Sequence, residues 1–263
     1  MLVFLKLGGS LITDKATPYT PRLDLLADLA GQIAAACREN PDLRLVLGHG
    51  SGSFGHQAAS HYGTRQGVAG PAAWCGFAEV WYQAAALNRL VIEALRAAGL
   101  AAVALAPVAA VTARGGRIRA WNLTPLRAAL AGGLLPVIYG DVAFDLRLGG
   151  TILSTEDLFA HLAPRLRPRR ILLAGQEAGV WADYPARTRL LAEITPRSLS
   201  GQTGALGAAA GADVTGGMES KVRQMMALIR RLPGLEVLIF SGEGGENVRR
   251  ALQGENPGTL LHR

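Results

Sequence analysis

The stretch Leu2-Val-Phe-Leu-Lys-Leu-Gly-Gly-Ser10 predicts how this chain folds. Its first six residues are apolar except for Lys6, and they lack the polar alternation of a strand with one face in water. Such a run is typical of a strand that is buried on both faces within a parallel sheet. The glycine pair that follows lets the backbone approach a ligand, and its amides can bind phosphate oxygens. We therefore expect a ligand site where this strand ends, with the side chain of Lys6 directed toward it. A tight strand-to-helix turn with solvated lysines is the alternative.

The same pattern of an apolar run, a glycine turn and a helical stretch repeats along the chain. The apolar runs predict strands over residues 2–7, 43–47, 101–105, 134–139, 171–174 and 235–240. The helical stretches between them cover residues 23–38, 76–98, 124–131, 155–163, 219–231 and 247–252. This alternation predicts an α/β fold, a three-layer α/β/α sandwich with a mainly parallel central sheet, in a single domain over residues 1–263. Two segments differ: residues 111–121 predict a β-hairpin around a glycine turn, and residues 195–217 predict a mobile loop.

The composition excludes several classes of protein. With 49% hydrophobic and 18% charged residues among 263, the chain can bury a sizeable core, and disorder is not expected. No apolar run approaches the roughly 20 residues of a membrane span, so we expect no membrane partner. The net charge is +7, but the basic residues are scattered and aromatic residues make up 6%, so we expect no nucleic-acid partner. Two cysteines, Cys37 and Cys75, and the lack of a leader-like N-terminus indicate the reducing cytoplasm.

Lysine is rare in this chain and lies close to its glycine pairs. Of the 27 basic residues, three are lysine: Lys6, Lys15 and Lys221. A compact ammonium group on a flexible stem suits phosphate oxygens in a way that a planar guanidinium does not reproduce. Chance is the alternative explanation, and the segments around the lysines decide between the two.

A second glycine-rich junction follows the predicted strand over residues 43–47 and reads Gly48-His-Gly-Ser-Gly-Ser-Phe-Gly-His56. Three of its glycines match the spacing of dinucleotide-binding loops, but that fingerprint also requires a second strand ending in an acid about 20 residues later. Residues 61–77 are interrupted by glycines and a proline, so a nicotinamide cofactor is not indicated. The junction instead offers amides, hydroxyls and the His56 imidazole to a phosphate group, with structural packing as the alternative for the histidine.

Three further segments add acids and a cation to this edge of the sheet. Tyr139-Gly-Asp-Val142 ends a predicted strand with an acid that could meet substrate. Ser154-Thr-Glu-Asp157 opens a predicted helix as an ordinary N-cap does, and its carboxylates could also pair with Lys6 and Lys221. Asp213-Val-Thr-Gly-Gly-Met218 leads into the helix that carries Lys221. Ligands of open parallel sheets bind beyond the carboxyl ends of the strands, so we expect these segments to converge there.

Taken together, these segments resemble the amino acid kinase superfamily and, within it, the isopentenyl phosphate kinases, over nearly the whole chain. The specific part is Gly-Ser-Phe-Gly-His ending at His56, since the sibling kinases of acetylglutamate, aspartate and uridylate lack this histidine. Residues 174–181 resemble the part of the family that lines the adenine and ribose site. Two positions depart from the family pattern: Ser51 replaces the middle glycine of its loop, and Glu156 stands where the family commonly has aspartate.

The resemblance implies an activity and a set of ligands. The reaction is the transfer of the γ-phosphoryl group of ATP to isopentenyl phosphate, which gives isopentenyl diphosphate for isoprene biosynthesis in the mevalonate pathway. Mg²⁺ is implied as a cofactor that ATP carries, without a protein-built cage. The family also suggests a homodimer. Residues 1–165 and 166–263 are then the lobes for the acceptor and for the nucleotide.

The resemblance also assigns roles to residues of this sequence. The catalytic residues it implies are Lys6, Lys15, His56, Glu156 and Lys221, with His56 on the acceptor phosphate and Lys15 on the transferring group. Those implied to bind ATP are Lys6, Leu7, Gly8, Gly9, Ser10, Gly52, Ala174, Gly175, Gly179, Val180, Trp181, Gly217 and Lys221. Those implied to bind the acceptor are Ser51, His56, Gly140, Asp141 and Thr155.

An isopentenyl tail requires an apolar slot, and one predicted helix follows the glycine–histidine junction directly. An apolar stripe at helical spacing runs along it from Trp74 to Ala84, and core packing is the default meaning of such a stripe. Because the first turns of this helix lie next to the junction in sequence, we expect Phe77, Val80 and Trp81 to line the tail.

Two other functions remain open. A kinase of the same fold could act on another small phosphate or phosphonate, such as fosfomycin, whose kinase shares the glycine–histidine loop. The apolar helix favours the isoprenoid acceptor over it. A non-catalytic nucleotide-sensing module is the other alternative. The three lysines with His56 argue against it, because a sensor does not need to bind an acceptor.

Overall fold

A computed structural model of the protein describes residues 1–201 and 217–263. The strands in these residues are β1 (Leu2–Leu7), β2 (Arg44–His49), β3 (Ala102–Ala104), β4 (Val111–Arg114), β5 (Arg117–Trp121), β6 (Leu135–Tyr139), β7 (Asp141–Asp145), β8 (Gly149–Leu153), β9 (Arg170–Gly175), β10 (Glu193–Ile194), β11 (Glu236–Ser241) and β12 (Gly258–Leu261). The helices are α1 (Gly9–Ile12), α2 (Leu23–Glu39), α3 (Gly52–Tyr62), α4 (Gly70–Ala97), α5 (Pro107–Ala110), α6 (Thr124–Ala131), α7 (Thr155–Leu166), α8 (Pro196–Gly201), α9 (Gly217–Arg231) and α10 (Asn247–Leu252), and Thr64–Gln66 forms a 3₁₀ turn.

The larger of the two sheets contains all six strands that the sequence predicts. Its strand order is β10-β12-β11-β9-β1-β2-β6-β3, and the adjacent pairs are parallel except for β11 with β12. The mainly parallel central sheet is therefore confirmed. β1 lies in its interior, where Lys6 pairs in register with Gly48 of β2 and with Leu173 of β9.

Helices cover both faces of this sheet, which confirms the three-layer sandwich. α2, α4 and α10 pack on one face, where Leu29 and Val91 are buried with Leu5 of β1. α6, α7 and α9 pack on the other face, where Phe159 is buried against Phe4 with ring centroids 5.0 Å apart. Consecutive residues of β1 thus enter opposite cores, and this is why its sequence shows no polar alternation.

The six predicted helices are also confirmed, and the largest shift is that α4 begins at Gly70 rather than at residue 76. Pro71 lies in the first turn, where a helix needs no amide donor, so it starts the helix instead of breaking it. The sequence predicts a glycine loop up to His56, whereas α3 already begins at Gly52 and places His56 on its second turn. None of the described helices is long and apolar enough to cross a membrane.

A second sheet has four strands in the order β5-β4-β7-β8. The hairpin predicted over residues 111–121 is confirmed as β4 and β5, with Gly115 and Gly116 in the left-handed region at its turn. The sequence predicts a strand that ends at Tyr139 and a junction over Gly140, Asp141 and Val142; β6 does end at Tyr139, but a new strand, β7, begins at Asp141. β7 pairs with β8 in an antiparallel ladder that the sequence analysis missed, because both strands are short and contain glycines or acids.

The loop predicted over residues 195–217 lies largely outside the described residues. Its described beginning is the short helix α8, so the loop prediction is wrong there. The amide of Thr195 donates to the hydroxyl of Ser198 at 2.8 Å, and the amide of Ser198 donates to the hydroxyl of Thr195 at 3.2 Å. This reciprocal cap starts the helix in a polar sequence. Residues 213–216 of the predicted glycine junction also lie outside the described residues.

Candidate active site

A cavity of about 590 Å³ opens at the carboxyl ends of the central strands. A glycine lies at the end of each of four strands here: Gly8 follows β1, Gly50 follows β2, Gly140 follows β6, and Gly175 is the last residue of β9. The first turns of α3, α7 and α9 contribute to the same wall. This is the edge of a parallel sheet at which ligands bind, so the predicted convergence of the glycine junctions is confirmed.

Two of the glycine junctions cross with their backbones in direct contact. A Cβ atom on Gly9 would lie 2.4 Å from the amide nitrogen of Gly52, and one on Gly50 would lie 2.7 Å from the amide nitrogen of Gly9. A side chain at either position would therefore displace backbone. Gly52 has a φ of +49°, whereas Ser51 beside it takes an ordinary right-handed conformation with φ −81°. The family departure at Ser51 is therefore compatible with this loop.

The remaining residues of the first junction divide into two groups. Gly8, Gly9 and Ser10 line the cavity, where the sequence predicts contacts with ATP. Leu7 is placed differently: its side chain is buried in the core, and its carbonyl accepts a hydrogen bond from the amide of Gly50 at 3.0 Å. Leu7 therefore supports the crossing of the two junctions and is not among the residues that line the cavity.

Lys6, Lys15 and Lys221 all line this cavity. Lys6 is only 8% exposed, and its Nζ lies 2.5 Å from Oε1 of Glu156. Burial alone would raise the pKa of the Glu156 carboxyl, but the charges of Lys6 and Lys221 outweigh burial and hold that pKa below its usual range. Glu156 therefore stays ionised and offsets part of the positive charge that the lysines bring to the cavity.

The first turn of α7 positions this carboxylate. The amide of Asp157 donates to the hydroxyl of Ser154 at 3.1 Å, and the amide of Ser154 donates to the carboxylate of Asp157 at 2.9 Å. This reciprocal capping box fixes the start of the helix and, with it, the position of Glu156. The N-cap and the partner of Lys6 thus occur in the same four residues. The extra methylene of glutamate, compared with the aspartate of the family pattern, does not prevent the contact with Lys6.

The residues predicted to hold the acceptor phosphate line the same cavity: Ser51, His56, Gly140, Asp141 and Thr155. Thr155 also has a packing role, because its hydroxyl donates a hydrogen bond of 2.6 Å to the carbonyl of His49. This bond joins the end of β2 to the start of α7. The structure therefore brings His56 to the same cavity as the three lysines.

His49, in contrast to His56, is fully buried. Its Nδ1 lies 3.0 Å from the carbonyl of Gly50, its Nε2 lies 3.1 Å from Oδ1 of Asn88, and its ring stacks on Tyr139. Burial lowers the pKa of His49, so the ring is neutral at physiological pH. His49 therefore serves packing and local hydrogen bonding.

Asp141 is 1% exposed, although it lines the cavity at the start of β7. Its carboxylate accepts hydrogen bonds from the amides of Val142 at 2.8 Å and Val108 at 3.4 Å. Burial nevertheless raises the pKa of Asp141 to about 7, because these two amides do not replace the lost water. A carboxyl group that keeps its proton near neutrality can donate a hydrogen bond to a phosphate oxygen.

The segment after β9 supplies the wall predicted to bind the base and ribose. Its predicted residues line the cavity, as does the start of α9: Ala174, Gly175, Gly179, Val180, Trp181 and Gly217. Glu177 is a further lining residue, and its carboxylate accepts a hydrogen bond of 2.9 Å from the indole of Trp181 and lies 2.8 Å from the guanidinium of Arg187. Arg187 in turn lies 5.4 Å from the centre of the Tyr184 ring. This cluster fixes aromatic and charged groups in the cavity wall.

Several of these lining residues were not predicted as site residues. They include Arg65, Tyr184, Arg187 and Glu219. Arg187 lies in a loop without periodicity, and Arg65 lies in the 3₁₀ turn after α3, so their sequence context gave no signal for a ligand. Glu177, in contrast, lies within residues 174–181, which the resemblance assigns to the base and ribose site.

The apolar part of the cavity is lined by Val80 and Ala84 of α4 and by Ile152 of β8. Val80 therefore lies where a tail-binding residue is expected. Phe77 and Trp81, which the sequence also predicts to line the tail, are not among the residues that line the cavity.

Phe77 and Trp81 are placed elsewhere by the register of α4. Phe77 is buried against Trp74 and Phe144, with ring centroids 5.3 and 5.1 Å away, and Trp81 is 42% exposed. The buried positions of α4 advance by three and four residues through positions 77, 80 and 84, so position 81 turns toward solvent.

Comparison with known proteins identifies the family. Residues 1–241 match the amino acid kinase family. The chain belongs to this family. Among known sequences, this amino acid kinase is similar to the isopentenyl phosphate kinase of Methanothermobacter thermautotrophicus, with 35% identity over 97% of the chain and 96% of the relative. The isopentenyl phosphate kinase of Haloferax volcanii is also 35% identical, over 99% of the chain and 98% of the relative.

The solved structures lead to the same group. An X-ray structure of isopentenyl phosphate kinase matches with a TM-score of 0.83 and 31% identity, covering 99% of this chain and 100% of that one. This amino acid kinase therefore belongs with the isopentenyl phosphate kinases. Both the fold and the resemblance stated from the sequence are confirmed.

Proposed function

We propose that this amino acid kinase transfers the γ-phosphoryl group of ATP to isopentenyl phosphate, giving isopentenyl diphosphate and ADP. The observation that carries the proposal is a single cavity that gathers Lys6, Lys15, Lys221 and His56 and also has an apolar wall. Three ammonium groups and an imidazole can neutralise two facing phosphate groups. The apolar wall can take a short hydrocarbon tail. The similar proteins named isopentenyl phosphate kinase support the same acceptor.

The acceptor phosphate binds at His56, and Ser51, Gly140 and Thr155 complete its surroundings. Asp141, with its pKa raised to about 7 by burial, donates a hydrogen bond to a phosphate oxygen in its protonated form. The short tail of the acceptor then extends along the apolar wall that α4 and β8 provide. All of these residues belong to the proposed acceptor lobe, residues 1–165.

The nucleotide binds along the junctions that follow β1 and β9. The backbone amides of Gly9, Ser10 and Gly52 bind its phosphates, since unpaired amides at glycine turns suit anions. The amide of Gly8, which the sequence also predicts for this role, is not available, because it donates to the carbonyl of Ala174 at 2.8 Å. The base and ribose lie against residues 174–181. Gly217 and Lys221 add contacts from α9, which belongs to the proposed nucleotide lobe over residues 166–263. Leu7 supports this arrangement from the core.

Mg²⁺ fits this site as an ion that ATP carries. Across residues 1–201 and 217–263, no group of three or more His, Cys, Asp or Glu side chains could hold a metal ion. Glu156 is held by Lys6. Such a donor set suits a metal held mainly by nucleotide phosphate oxygens, where it would neutralise their charge.

The chemistry needs no covalent intermediate and no strong base. The acceptor phosphate is already a nucleophile: one of its oxygens forms a bond to the γ-phosphorus while the bond from that phosphorus to the bridging oxygen of ADP breaks. Catalysis therefore rests on position and charge. Lys15 stabilises the transferring group, Lys6 is held in place by Glu156, and Lys221 contacts the nucleotide.

Kinetics with two acceptors test the proposal. Initial rates of ADP release would be measured with isopentenyl phosphate and with fosfomycin, and the product would be identified by mass spectrometry. We expect turnover of isopentenyl phosphate, because a small polar phosphonate leaves the apolar wall unfilled. Turnover of fosfomycin alone would overturn the acceptor assignment. ATP binding without turnover of either compound would favour a nucleotide-sensing module.

We further propose that the enzyme works as a homodimer, as the resemblance implies, and that it works in the cytoplasm. In the described part of the chain, Cys37 and Cys75 are free thiols, which suits a reducing compartment. Light scattering of the purified protein measures the assembly directly. A monomeric mass at working concentrations would contradict the dimer.

A further inference from the structure

Two turns of the four-stranded sheet lie side by side at the end remote from the cavity. One is the β4–β5 turn with Gly115 and Gly116, and the other is the β7–β8 turn with Leu146 and Arg147. The carboxylate of Asp145 accepts hydrogen bonds from the amides of Gly115 at 2.9 Å, Gly116 at 2.7 Å, Arg147 at 2.8 Å and Leu148 at 2.9 Å. We call residues 114–117 and 145–148 the basic tip.

The carboxylate of Asp145 makes the basic tip a fixed surface. Desolvation raises the pKa of Asp145, but the four amide donors outweigh it and lower that pKa to about 2. Asp145 is therefore ionised at any physiological pH, and the two turns keep their relative position. The amide of Leu146 also donates to the carbonyl of Ala113 at 2.9 Å, which adds a further link between β4 and the second turn.

The exposed charged side chains of the four-stranded sheet are all positive. Residues 111–121 and 141–153 contain two acids, Asp141 and Asp145, and both are buried. The same residues expose four arginines: Arg114, Arg117, Arg119 and Arg147. Such a surface attracts an anionic partner.

The basic tip also exposes a large apolar side chain. Leu146 is 71% exposed at the turn, beside Arg147 in sequence, and Phe144, two residues earlier on β7, is 51% exposed. Arginines around an exposed leucine are the combination that peripheral proteins use at anionic membranes, where cations contact lipid phosphates and apolar side chains enter the headgroup layer. No spanning segment is needed for such a contact.

We propose that the basic tip docks this protein onto an anionic phospholipid surface. Arg114, Arg117 and Arg147 contact lipid phosphates, and Leu146 enters the headgroup region. This departs from the expectation of no membrane partner, which rested on the lack of apolar runs long enough to span. A second copy of the tip would place arginines against arginines, which is repulsive. A single-stranded nucleic acid would use aromatic stacking, and the sequence of the tip, Arg-Gly-Gly-Arg and Asp-Leu-Arg-Leu, contains no aromatic residue. The neighbouring Phe144 packs its ring against Trp74 and Phe77.

The basic tip is separate from the catalytic cavity. β7 runs from Asp141 in the cavity wall to Asp145 in the tip, and four residue steps of a strand span roughly 13 Å. Leu146 and the three tip arginines are not among the residues that line the cavity. Changes at the tip are therefore expected to leave the catalytic residues in place, and the membrane contact does not rest on the identity of the acceptor.

Vesicle sedimentation tests the proposal with the full chain. Vesicles of phosphatidylcholine alone and of equimolar phosphatidylcholine and phosphatidylglycerol would be compared at about 0.1 M salt. The variants are Arg114→Gln with Arg117→Gln and Arg147→Gln, and separately Leu146→Ser. The matched control removes three exposed arginines elsewhere: Arg165→Gln, Arg230→Gln and Arg231→Gln. Circular dichroism and urea midpoints verify that each variant is folded.

The wild type is expected to bind the anionic vesicles and not the neutral ones. Partition should fall roughly a hundredfold in the triple tip variant, since each basic residue near such a surface changes it about fivefold. It should fall roughly tenfold in Leu146→Ser and remain close to wild type in the control.

Four results would overturn the proposal. The first two are that the wild type does not bind anionic vesicles, and that the tip and control variants lose vesicle binding equally. The other two are that Leu146→Ser binds vesicles as the wild type does, and that an RNA oligonucleotide binds in a tip-dependent way while vesicle binding does not depend on the tip. Light scattering of the same variants covers the remaining alternative. If the tip variants abolish self-association while vesicle binding is unchanged, the tip is an interface between copies of the chain.

Discussion

The ammonium of Lys6 and the carboxylate of Glu156 lie 2.5 Å apart in a buried ion pair that joins the end of β1 to the first turn of α7. Neither side chain is more than 10% exposed, so water does little to screen the pair. The charge of Lys221 acts on the same carboxylate. Glu156 thus links the charges of two lysines that come from different parts of the chain.

Glu156→Gln is expected to cost about 3 kcal/mol of unfolding free energy, because it removes the negative charge that faces a buried ammonium. The rate of phosphoryl transfer should fall as well, since Lys6 loses its fixed position. Urea unfolding and steady-state kinetics measure the two effects. Glu93→Gln is the control: it breaks the exposed pair with Arg89 and should cost no more than about 0.5 kcal/mol. Equal costs for the two variants would contradict the role of the buried pair.

The ion pair of Lys6 and Glu156 also predicts how the stability of the protein changes with pH. The pKa of Glu156 is lower in the folded state than its ordinary value of 4.5, so its stabilising contribution is fully present above pH 4.5. It is lost as the pH falls through the lower, folded pKa. The difference in unfolding free energy between wild type and Glu156→Gln should therefore shrink in acid. A difference that is constant down to strongly acidic pH would show that ionisation of Glu156 is not involved.

For Asp141 we expect the opposite dependence of stability on pH. Its folded pKa of about 7 exceeds the ordinary value of 3.8, so between these values the folded state holds a proton that the unfolded state has released. Stability should fall as the pH rises through that window, by up to about 1.4 kcal/mol per pH unit. Asp141→Asn does not titrate and should lack this fall. Urea unfolding of both proteins at a series of pH values measures it, and parallel curves would contradict the raised pKa.

Lys15→Ala is expected to lower kcat by roughly 100-fold to 1000-fold, the usual cost of removing a group that stabilises a developing negative charge. Stability should hardly change, because Lys15 is exposed. Lys15→Arg should restore little activity, since a guanidinium does not reproduce a compact ammonium. Thr17→Ala, in the same loop, serves as the control. A kcat of Lys15→Ala close to that of wild type would remove this lysine from the mechanism.

Gly9→Ala is expected to destabilise the protein by about 1–3 kcal/mol and to weaken ATP binding, because the added methyl group would displace the backbone of Gly52. Gly31→Ala is the matched control in the middle of α2, where a Cβ atom meets nothing within 4 Å. That change should stabilise the protein by roughly 0.5–1 kcal/mol, since alanine loses less entropy in a helix. Thermal unfolding and ATP titration compare the two. Similar behaviour of both variants would contradict the backbone crossing.

The sequence predicted those parts of the molecule that depend on local pattern. The run that contains Lys6 was predicted as a buried strand and the glycines at its end as part of a ligand site, because both predictions use the chemistry of a few consecutive residues. β7 and β8 were missed, since they are held by pairing with each other and with β4. His56 was placed on a loop because glycines usually break helices, whereas Gly52 only starts one.

The residues that form the apolar wall of the cavity could not be predicted from the sequence alone. Phe77, Val80 and Trp81 lie within one turn and a half of α4, and all three are apolar. Only the packing of α4 against β7 and β8 decides that Val80 enters the cavity and Trp81 enters solvent. The size of their side chains suggested that the aromatic residues line the tail, but the register of α4 determines which side chain faces the cavity. The contacts of Arg65 and Arg187 with the cavity likewise depend on tertiary packing.

In the proposed mechanism, His56 binds the acceptor phosphate, and the lysines bind the nucleotide and the transferring group. The most direct measurement is the pair of KM values, for isopentenyl phosphate and for ATP, in wild type and in His56→Ala. We expect KM for isopentenyl phosphate to rise by roughly tenfold or more, the usual loss for a hydrogen bond to a charged group, while KM for ATP stays close to wild type. An equal rise in both values would show that His56 only supports the fold, and it would contradict its role in binding the acceptor.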